Sequence, residues 1–154
     1  MKDIWQNPWV IEWSQCLLDS YVRFVREELI LRGGTHREQA ERLFKSPDVV
    51  ASHGLQDDPI LNYGNQTALD LWEMTWDQFT KTPSRLTAEP LHREERTRML
   101  EQAKTRGFIS AYRGVRISGT GKRFLVERAT VWNIQKPDGT PLGQGATFSA
   151  WTFL

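Results

Sequence analysis

The stretch ILNYGNQTALDLWEM, residues 60–74, decides the fold of this chain. It opens at residues 60–63 with a short apolar run of the kind found in buried strands. Asn65 follows in the position of a helix N-cap, where its side-chain oxygen accepts from backbone N–H groups of the first turn. Residues 66–74 then carry apolar side chains at helical spacing. The stretch therefore predicts a short strand that leads directly into a short helix.

Three predicted strands occupy the last third of the chain, over residues 108–118, 123–135 and 142–153. The sequences between them, GTG at 119–121 and KPDG at 136–139, are tight-turn signals. Strands joined by such short turns pair antiparallel. We therefore expect one antiparallel sheet, to which the short strands before the helices also belong.

Apolar residues occur on both faces of the middle strand, because side chains alternate along a strand. This alternation assigns one face to Phe124, Val126 and Trp132, and the other to Leu125, Ala129 and Val131. In the preceding strand it gives one face to Ile109, Ala111, Val115 and Ile117. A sheet that is apolar on both sides needs cover on both. We expect the short helices and a charge-rich helix at 90–106 on one face, and an N-terminal helix on the other.

The N-terminal helix is predicted over residues 8–32. Pro8 suits the first helical turn, and the glycines at 33–34 would end the helix. Its apolar residues form two adjacent stripes, which is more apolar surface than one face of a small sheet needs. Aromatic anchors of the type enriched at interface centres accompany it, namely Trp5, Trp9 and Trp13. We expect a homodimer through this helix, with docking onto the chain's own sheet as the alternative.

A second helix is predicted to run to Lys45, because Thr35 and Glu38 have the spacing of a capping box. The pattern changes to strands at the following proline. We therefore divide the chain into an N-terminal helical extension, residues 1–46, and a second domain, residues 47–154.

Four segments of the second domain resemble signature segments of PAS domains. They are ILNYGNQTAL at 60–69, MTWDQF at 74–79, EPLHREER at 89–96 and the last hairpin at 124–143. The resemblance rests on their order and spacing more than on any one of them. It implies an α+β fold, in which an antiparallel sheet carries short central helices and a long helix, here preceded by the N-terminal helical extension.

Longer blocks are similar to the MEKHLA family of PAS-like proteins, in its stand-alone bacterial form. They are SHGLQDDPILNYGNQTALDLWEM at 52–74, PSRLTAEP at 83–90, YRGVRISGTGKRF at 112–124 and ATVWNIQKPDGTPLGQGATF at 129–148. The hexapeptide that names the family does not occur. Relatives of this domain occur at the C-terminus of plant class III homeodomain–leucine-zipper regulators. The resemblance implies a sensory or regulatory role and no known reaction.

The PAS resemblance implies a space between the sheet and the short helices that can hold a small molecule. The candidate ligand-binding residues are Asn62, Tyr63 and Asn65 at the strand-to-helix corner, Trp72 in the helix, Glu127 or Trp132 in the central strand according to which face points inward, and Phe148 in the last strand. Their rings and few polar groups suit a planar, partly polar ligand. If the Tyr63 hydroxyl is solvated, a Tyr63→Phe change would then barely affect the apo protein and would weaken the stabilisation by a polar ligand.

A protein-interaction or dimerisation module without a ligand is the alternative function. In that case Asn65 only caps its helix, Tyr63 and the tryptophans pack as core, and no space remains. Glu127 has three interpretations of its own: a structural ion pair, a ligand contact, or general acid–base chemistry. Its candidate ion-pair partners are Arg113, Arg116, Arg123 and Arg128. Paired carboxylates, a nucleophile motif and a phosphate loop are missing, so we expect no enzyme.

The sequence does not name a cofactor. The flavin-binding photosensory branch of PAS proteins needs a cysteine in the loop after the short helices, and residues 82–87 contain none. A covalent flavin adduct is therefore not expected. Haem-binding relatives place an axial histidine in or near the long helix. We expect His92, at the start of that helix, to be an exposed residue rather than a haem ligand. The histidines lack the spacing of metal ligands, so no metal site is expected.

Composition narrows the partners of this 154-residue chain. Its net charge of +1 provides no field that attracts nucleic acid or an anionic membrane. Its apolar runs are too short to span a bilayer, and its first residues do not resemble a signal peptide. The single cysteine, Cys16, excludes an internal disulfide. We expect a cytoplasmic protein with no nucleic-acid or membrane partner.

Overall fold

A single antiparallel sheet organises the computed structural model, which describes residues 3–88 and 90–154 except the side chains of 90–93, 95, 96, 100 and 103. The strands are β1 (Val49–His53), β2 (Leu61–Gly64), β3 (Phe108–Ile117), β4 (Arg123–Gln135), β5 (Pro141–Phe148) and β6 (Ala150–Phe153). Their order is β2-β1-β5-β4-β3, with β6 paired to β4 beyond the end of β5. The predicted antiparallel meander is therefore confirmed.

Helices lie on both faces of this sheet. They are α1 (Pro8–Val25), α2 (His36–Phe44), α3 (Gln66–Trp72), α4 (Trp76–Phe79) and α5 (Pro90–Arg106), with 3-10 turns at Ile4–Gln6 and Ser84–Thr87. On one face, the Trp132 indole donates a hydrogen bond of 3.2 Å to the Leu17 carbonyl in α1. On the other, the Trp72 ring of α3 lies 5.3 Å from that of Phe124 in β4. The predicted α+β architecture is confirmed.

The N-terminal helix is shorter than the predicted 8–32. It ends at Val25, and Arg26 adopts a left-handed conformation with φ 68°. The chain then folds back along the helix. There the Arg32 guanidinium donates hydrogen bonds of 2.9 Å to the side chains of Gln15, Asp19 and Gln39. The capping box predicted for α2 is present with both of its bonds. The apolar residues that follow Val25 therefore pack against the core from the segment that folds back along α1.

The apolar face of α1 is buried in the same core as the sheet. Its buried apolar side chains are Val10, Trp13, Leu17, Leu18 and Tyr21. The Trp13 indole also donates to the Ser52 hydroxyl of β1 at 2.9 Å. The helix thus docks onto its own sheet, while dimerisation and the domain boundary at residue 46 stay predictions.

Two bulges overturn the predicted faces of β3 and β4. Ile109 is opposite Val131 and Tyr112 is opposite Ala129, so β3 has one extra residue at this point. The strand β4 has its own extra residue between Val126 and Ala129. An extra residue moves all following side chains to the opposite face. The left-handed residues Ala111 (φ 59°) and Arg128 (φ 53°) lie at the two bulges.

In β4, three residues change face relative to Phe124 and Val126 as a consequence. Ala129 and Val131 lie with Phe124 and Val126 on the face toward α3–α5, and Trp132 lies on the face toward α1. The predicted strand at 142–153 is likewise divided at Ser149 into β5 and β6.

Gly107 makes a close contact that a side chain would block. It has φ +89°, and a Cβ atom there would overlap the Phe24 ring of α1. We expect Gly107→Ala to lower the free energy of unfolding by about 2–3 kcal/mol, combining left-handed strain and overpacking. Gly121→Ala is the matched control, since Gly121 has the same φ and open space around it. Chemical denaturation of both variants measures the loss in free energy of unfolding. Equal losses in the two variants would contradict this prediction.

Candidate functional site

A cavity of about 70 Å³, partly open to solvent, lies between the sheet and helices α3–α5. Its apolar lining comes from Ala51, Leu61, Trp72, Phe79, Met99, Tyr112, Val126, Ala129, Val131, Ala146 and Phe148. Its other lining residues are Ser52, His53, Ser84, Thr87, Arg116, Gln144 and Gly145. The volume is roughly half of the ~150 Å³ cavity known to hold benzene. The space suits a few waters or a small organic molecule.

Small side chains on neighbouring strands create this space. Ala51, Ala146 and Val131 are aligned across β1, β5 and β4 in direct register. Ala129 is in turn aligned with Tyr112 in β3. Larger side chains at the alanine positions would fill the floor of the cavity. The bulge in β4 is what turns Ala129 toward it.

Arg116 brings a cation to the wall of the cavity. The residue as a whole is half-buried, but its Nη1 atom is buried and has no hydrogen-bond partner among the described residues. The Cζ atom lies 5.1 Å from the centre of the Tyr112 ring, in cation–π geometry. Burial lowers the pKa of Arg116, and the neighbouring Tyr112 opposes this. An arginine pKa is so high that the group stays charged.

Trp72 provides a second unused donor in the same wall. Its Nε1 atom is buried and unpaired within the described part of the chain. The ring packs edge-on against Phe79, Phe124 and Phe148. Phe124 is also the register partner of Arg116. Trp72 and Arg116 therefore both belong to the wall of the cavity, and each has a buried nitrogen without a partner among the described residues.

Of the predicted ligand-binding residues, Trp72 and Phe148 line the cavity, and the others lie elsewhere. The side-chain Oδ1 atom of Asn62 accepts from the Ser52 hydroxyl at 2.6 Å. Asn65 is fully buried in a network with backbone groups. The placement of these two side chains is structural. A role of Trp72 or Phe148 in ligand binding stays a prediction.

The remaining candidates also lie outside the cavity. The Tyr63 ring is buried edge-on against Trp76, at 5.7 Å. Glu127 is on the surface and forms an ion pair with Arg113 at 3.3 Å. This contact corresponds to the ion-pair interpretation of Glu127. Trp132 packs edge-on against Tyr21 of α1, at 4.9 Å. Sequence reasoning missed Tyr112 and Arg116 among others, because it followed the apolar residues of the opposite parity in this strand, such as Val115 and Ile117.

Tyr63→Phe is expected to stabilise the protein rather than weaken a ligand. The Tyr63 hydroxyl is buried without a partner among the described residues, and burial raises its pKa far above the usual value. Removing an unpaired buried hydroxyl relieves a cost of about 1–3 kcal/mol. Thermal unfolding should therefore show an unchanged or higher Tm, and ligand binding in the cavity should not change. A loss of more than about 1 kcal/mol would mean that the hydroxyl has an important partner.

Cofactor-related positions complete the description of the site. No group of three or more His, Cys, Asp or Glu suited to a metal occurs among the described residues. The side chain of His92 lies outside the described residues, so the expectation about haem stays untested. Cys16 is in α1, and burial, followed by the carboxylates of Glu12 and Asp19, raises the pKa of its thiol.

Over residues 3–88 and 90–154, no helix has both the length and the hydrophobicity to cross a bilayer.

The fold is that of a PAS-like domain. The PAS domain of a protein from Colwellia psychrerythraea is similar at 15% identity and TM-score 0.64, over 72% of this chain and 92% of that one. A PAS domain of a two-component sensor histidine kinase is similar at 12% identity and TM-score 0.57, over 74% and 91%. A light-oxygen-voltage domain studied with a flavin analogue is similar at 11% identity and TM-score 0.59, over 76% and 84%.

The sequence profile of the MEKHLA domain matches residues 11–153. The chain belongs to the MEKHLA domain family, as its sequence blocks predicted. Comparison with curated protein sequences gives no significant match.

Proposed function

We propose that this MEKHLA protein is a sensory or regulatory module that binds a small molecule in the cavity between the sheet and α3–α5. The observation that carries the proposal is an apolar cavity whose wall holds two buried donors, Trp72 Nε1 and Arg116 Nη1, with no partner in the described part of the chain. Buried donors are normally paired, and an acceptor bound in the cavity is one way to pair two donors that belong to its lining residues. We infer no catalytic step, and we place the protein in the cytoplasm.

The size of the cavity limits the ligand. Drug-sized molecules occupy pockets of about 300–1,000 Å³, well above the 70 Å³ found here. One structural relative was studied with a flavin analogue, but a flavin would require this cavity to open widely. We therefore favour a molecule of only a few non-hydrogen atoms.

Native mass spectrometry and absorbance of the freshly purified chain test the proposal. We expect a bound small mass, or a rise in Tm with at least one compound from a panel of short organic acids, indole, benzene, riboflavin and haem. A ligand at a hundred times its Kd stabilises the fold by about 2.7 kcal/mol. Ala146→Leu is the control variant, since its longer side chain fills the cavity floor and should abolish both effects. The absence of any bound mass and of any Tm shift would reject the proposal.

Homodimerisation through α1 is a separate proposal, with its own measurement. The feature that supports it is Trp9, which is 45% exposed and stacks at 5.4 Å on the buried Trp13. Exposed aromatic rings on a rigid helix are typical anchors of an interface. Light scattering at micromolar concentration should give a dimer mass for the intact chain and a monomer mass for Trp9→Glu. A monomer mass for the unchanged chain would support docking within the chain alone.

A further inference from the structure

We propose that the ligand of the cavity is a small monocarboxylate, bound by the Arg116 guanidinium and the Trp72 indole N–H. Its carboxylate oxygens accept from these two donors, and its short apolar part lies against the alanines of the floor. The inference rests on the proposed function, because it names the class of ligand that the same cavity takes.

The unpaired donors point to an acceptor. Arg116 Nη1 and Trp72 Nε1 are both donors, and neither group can accept a hydrogen bond. Water could bind to each, but water carries no negative charge that would balance the guanidinium. A carboxylate offers two oxygens that match the fork of a guanidinium. It is therefore the simplest group that satisfies both donors.

The charge of Arg116 favours an anion over a neutral acceptor. Other cations of the same strand and of the turn that follows it have carboxylate partners: Arg113 pairs with Glu127, and Lys122 pairs with Glu73. Arg116 has no ion pair within the described residues, and Tyr112 interacts with its guanidinium through the ring and through a side-chain hydrogen bond. A buried cation without a counterion is costly. A bound anion removes this cost, which a neutral amide or alcohol does not.

The rest of the lining selects a weakly polar molecule with one charge. Beyond the two donors, the wall consists mainly of apolar side chains such as Ala129, Ala146 and Phe148. A phosphate or a dicarboxylate would place further charged oxygens against these side chains, at a high desolvation cost. The volume of about 70 Å³ has room for a carboxylate with two or three additional carbons. Propionate and butyrate have this size and polarity.

Isothermal titration of the full chain with propionate, butyrate and the neutral analogue propionamide tests the inference. Each acid should bind at least tenfold more tightly than the amide, since hydrogen bonds to charged groups are worth about one to two powers of ten in affinity. Arg116→Met should lower the affinity for the acids by roughly 10- to 100-fold. Arg113→Met is the matched control, because Arg113 is an exposed arginine of the same strand that pairs with Glu127. It should leave the affinity unchanged.

The indole N–H signals give an independent readout. In ¹H–¹⁵N spectra, the Trp72 Nε1–H signal, assigned with Trp72→Phe, should move downfield when propionate binds. The Trp132 Nε1–H signal is the internal control, because it already bonds to Leu17 on the opposite face of the sheet. It should move little. Arg116→Lys keeps the positive charge, and is the variant to titrate if Arg116→Met does not fold.

The outcomes separate this inference from the proposed function. Equal affinity for acid and amide, or full acid affinity in a folded Arg116 variant, would overturn the carboxylate assignment and leave a ligand-binding module. The carboxylate assignment would also be overturned, and the ligand-binding module kept, if a neutral molecule co-purifies and the acids do not bind. If neither acids nor neutral compounds bind and no mass co-purifies, both proposals fail. Tight acid binding that depends on Arg116 supports both.

Discussion

Trp132→Ala is expected to lower the free energy of unfolding by about 3–5 kcal/mol, the range for removing a large buried ring. Trp132 is fully buried, its ring packs edge-on against Tyr21 at 4.9 Å, and its indole donates to the Leu17 carbonyl. The substitution therefore leaves a cavity between β4 and α1 and removes the hydrogen bond between them. Urea denaturation of the two proteins measures the difference.

Two further variants show whether the effect belongs to this contact. Trp132→Phe keeps an aromatic ring and loses the donor, so its loss should be smaller than that of the alanine variant. Trp9→Ala removes a ring that is 45% exposed and should cost no more than about 1 kcal/mol. If Trp132→Ala cost no more than Trp9→Ala, the docking of α1 onto the sheet would be wrong.

Asn65→Ala is expected to destabilise the fold by a similar amount, about 3–5 kcal/mol, although it removes no large side chain. The Asn65 Oδ1 atom accepts from the N–H groups of Val50 and Ala68, both at 3.1 Å. Its Nδ2 atom donates to the carbonyls of Leu43 at 3.2 Å and Asp48 at 2.8 Å. Each buried partner left unpaired costs about 1–3 kcal/mol. These are not fully additive, because the site relaxes.

Thr75→Ala provides the matched control for Asn65→Ala. Thr75 caps α4 in the same way, accepting from the Gln78 N–H at 3.2 Å, but it is exposed. Loss of an exposed cap costs about 1 kcal/mol. Asn65→Asp keeps the acceptor and turns a second oxygen toward two carbonyls, so it should be as damaging as the alanine. A loss for Asn65→Ala no greater than for Thr75→Ala would show that its buried hydrogen bonds contribute little.

Local chemistry was enough to predict most of the elements. The Asn65 cap, the Thr35–Glu38 capping box and the two turns of the meander depend on residues a few positions apart. The long helix at 90–106 and the strand at 123–135 were predicted with the bounds that the structure has. The family was also evident from the sequence, because its blocks span almost the whole chain.

The cavity required the tertiary structure. Ala111 and Arg128 adopt left-handed conformations that residues of these types rarely adopt, so nothing in the local sequence announces a bulge there. Each bulge reverses the faces that follow it, which brings Tyr112 and Ala129 to the cavity and takes Trp132 away from it. Of the seven candidate ligand residues, Glu127 and Trp132 depended on the face of β4, and the others were taken from the strand-to-helix corner, the helix and the last strand; Trp72 and Phe148 line the cavity.

The end of α1 and the surroundings of Arg116 were likewise decided by packing. The periodicity favoured a helix to residue 32, but the bonds of Arg32 to Gln15, Asp19 and Gln39 stabilise a chain that has already turned back. Arg116 in a strand rich in arginine has the sequence pattern of a surface residue, and only the folded sheet places its Nη1 atom inside. The order of the elements, most of their bounds and the family could be predicted from the sequence, because caps, turns and periodicity act over a few residues. The tertiary structure decided which side chains meet in the cavity, because bulges and buried donors depend on contacts between distant strands.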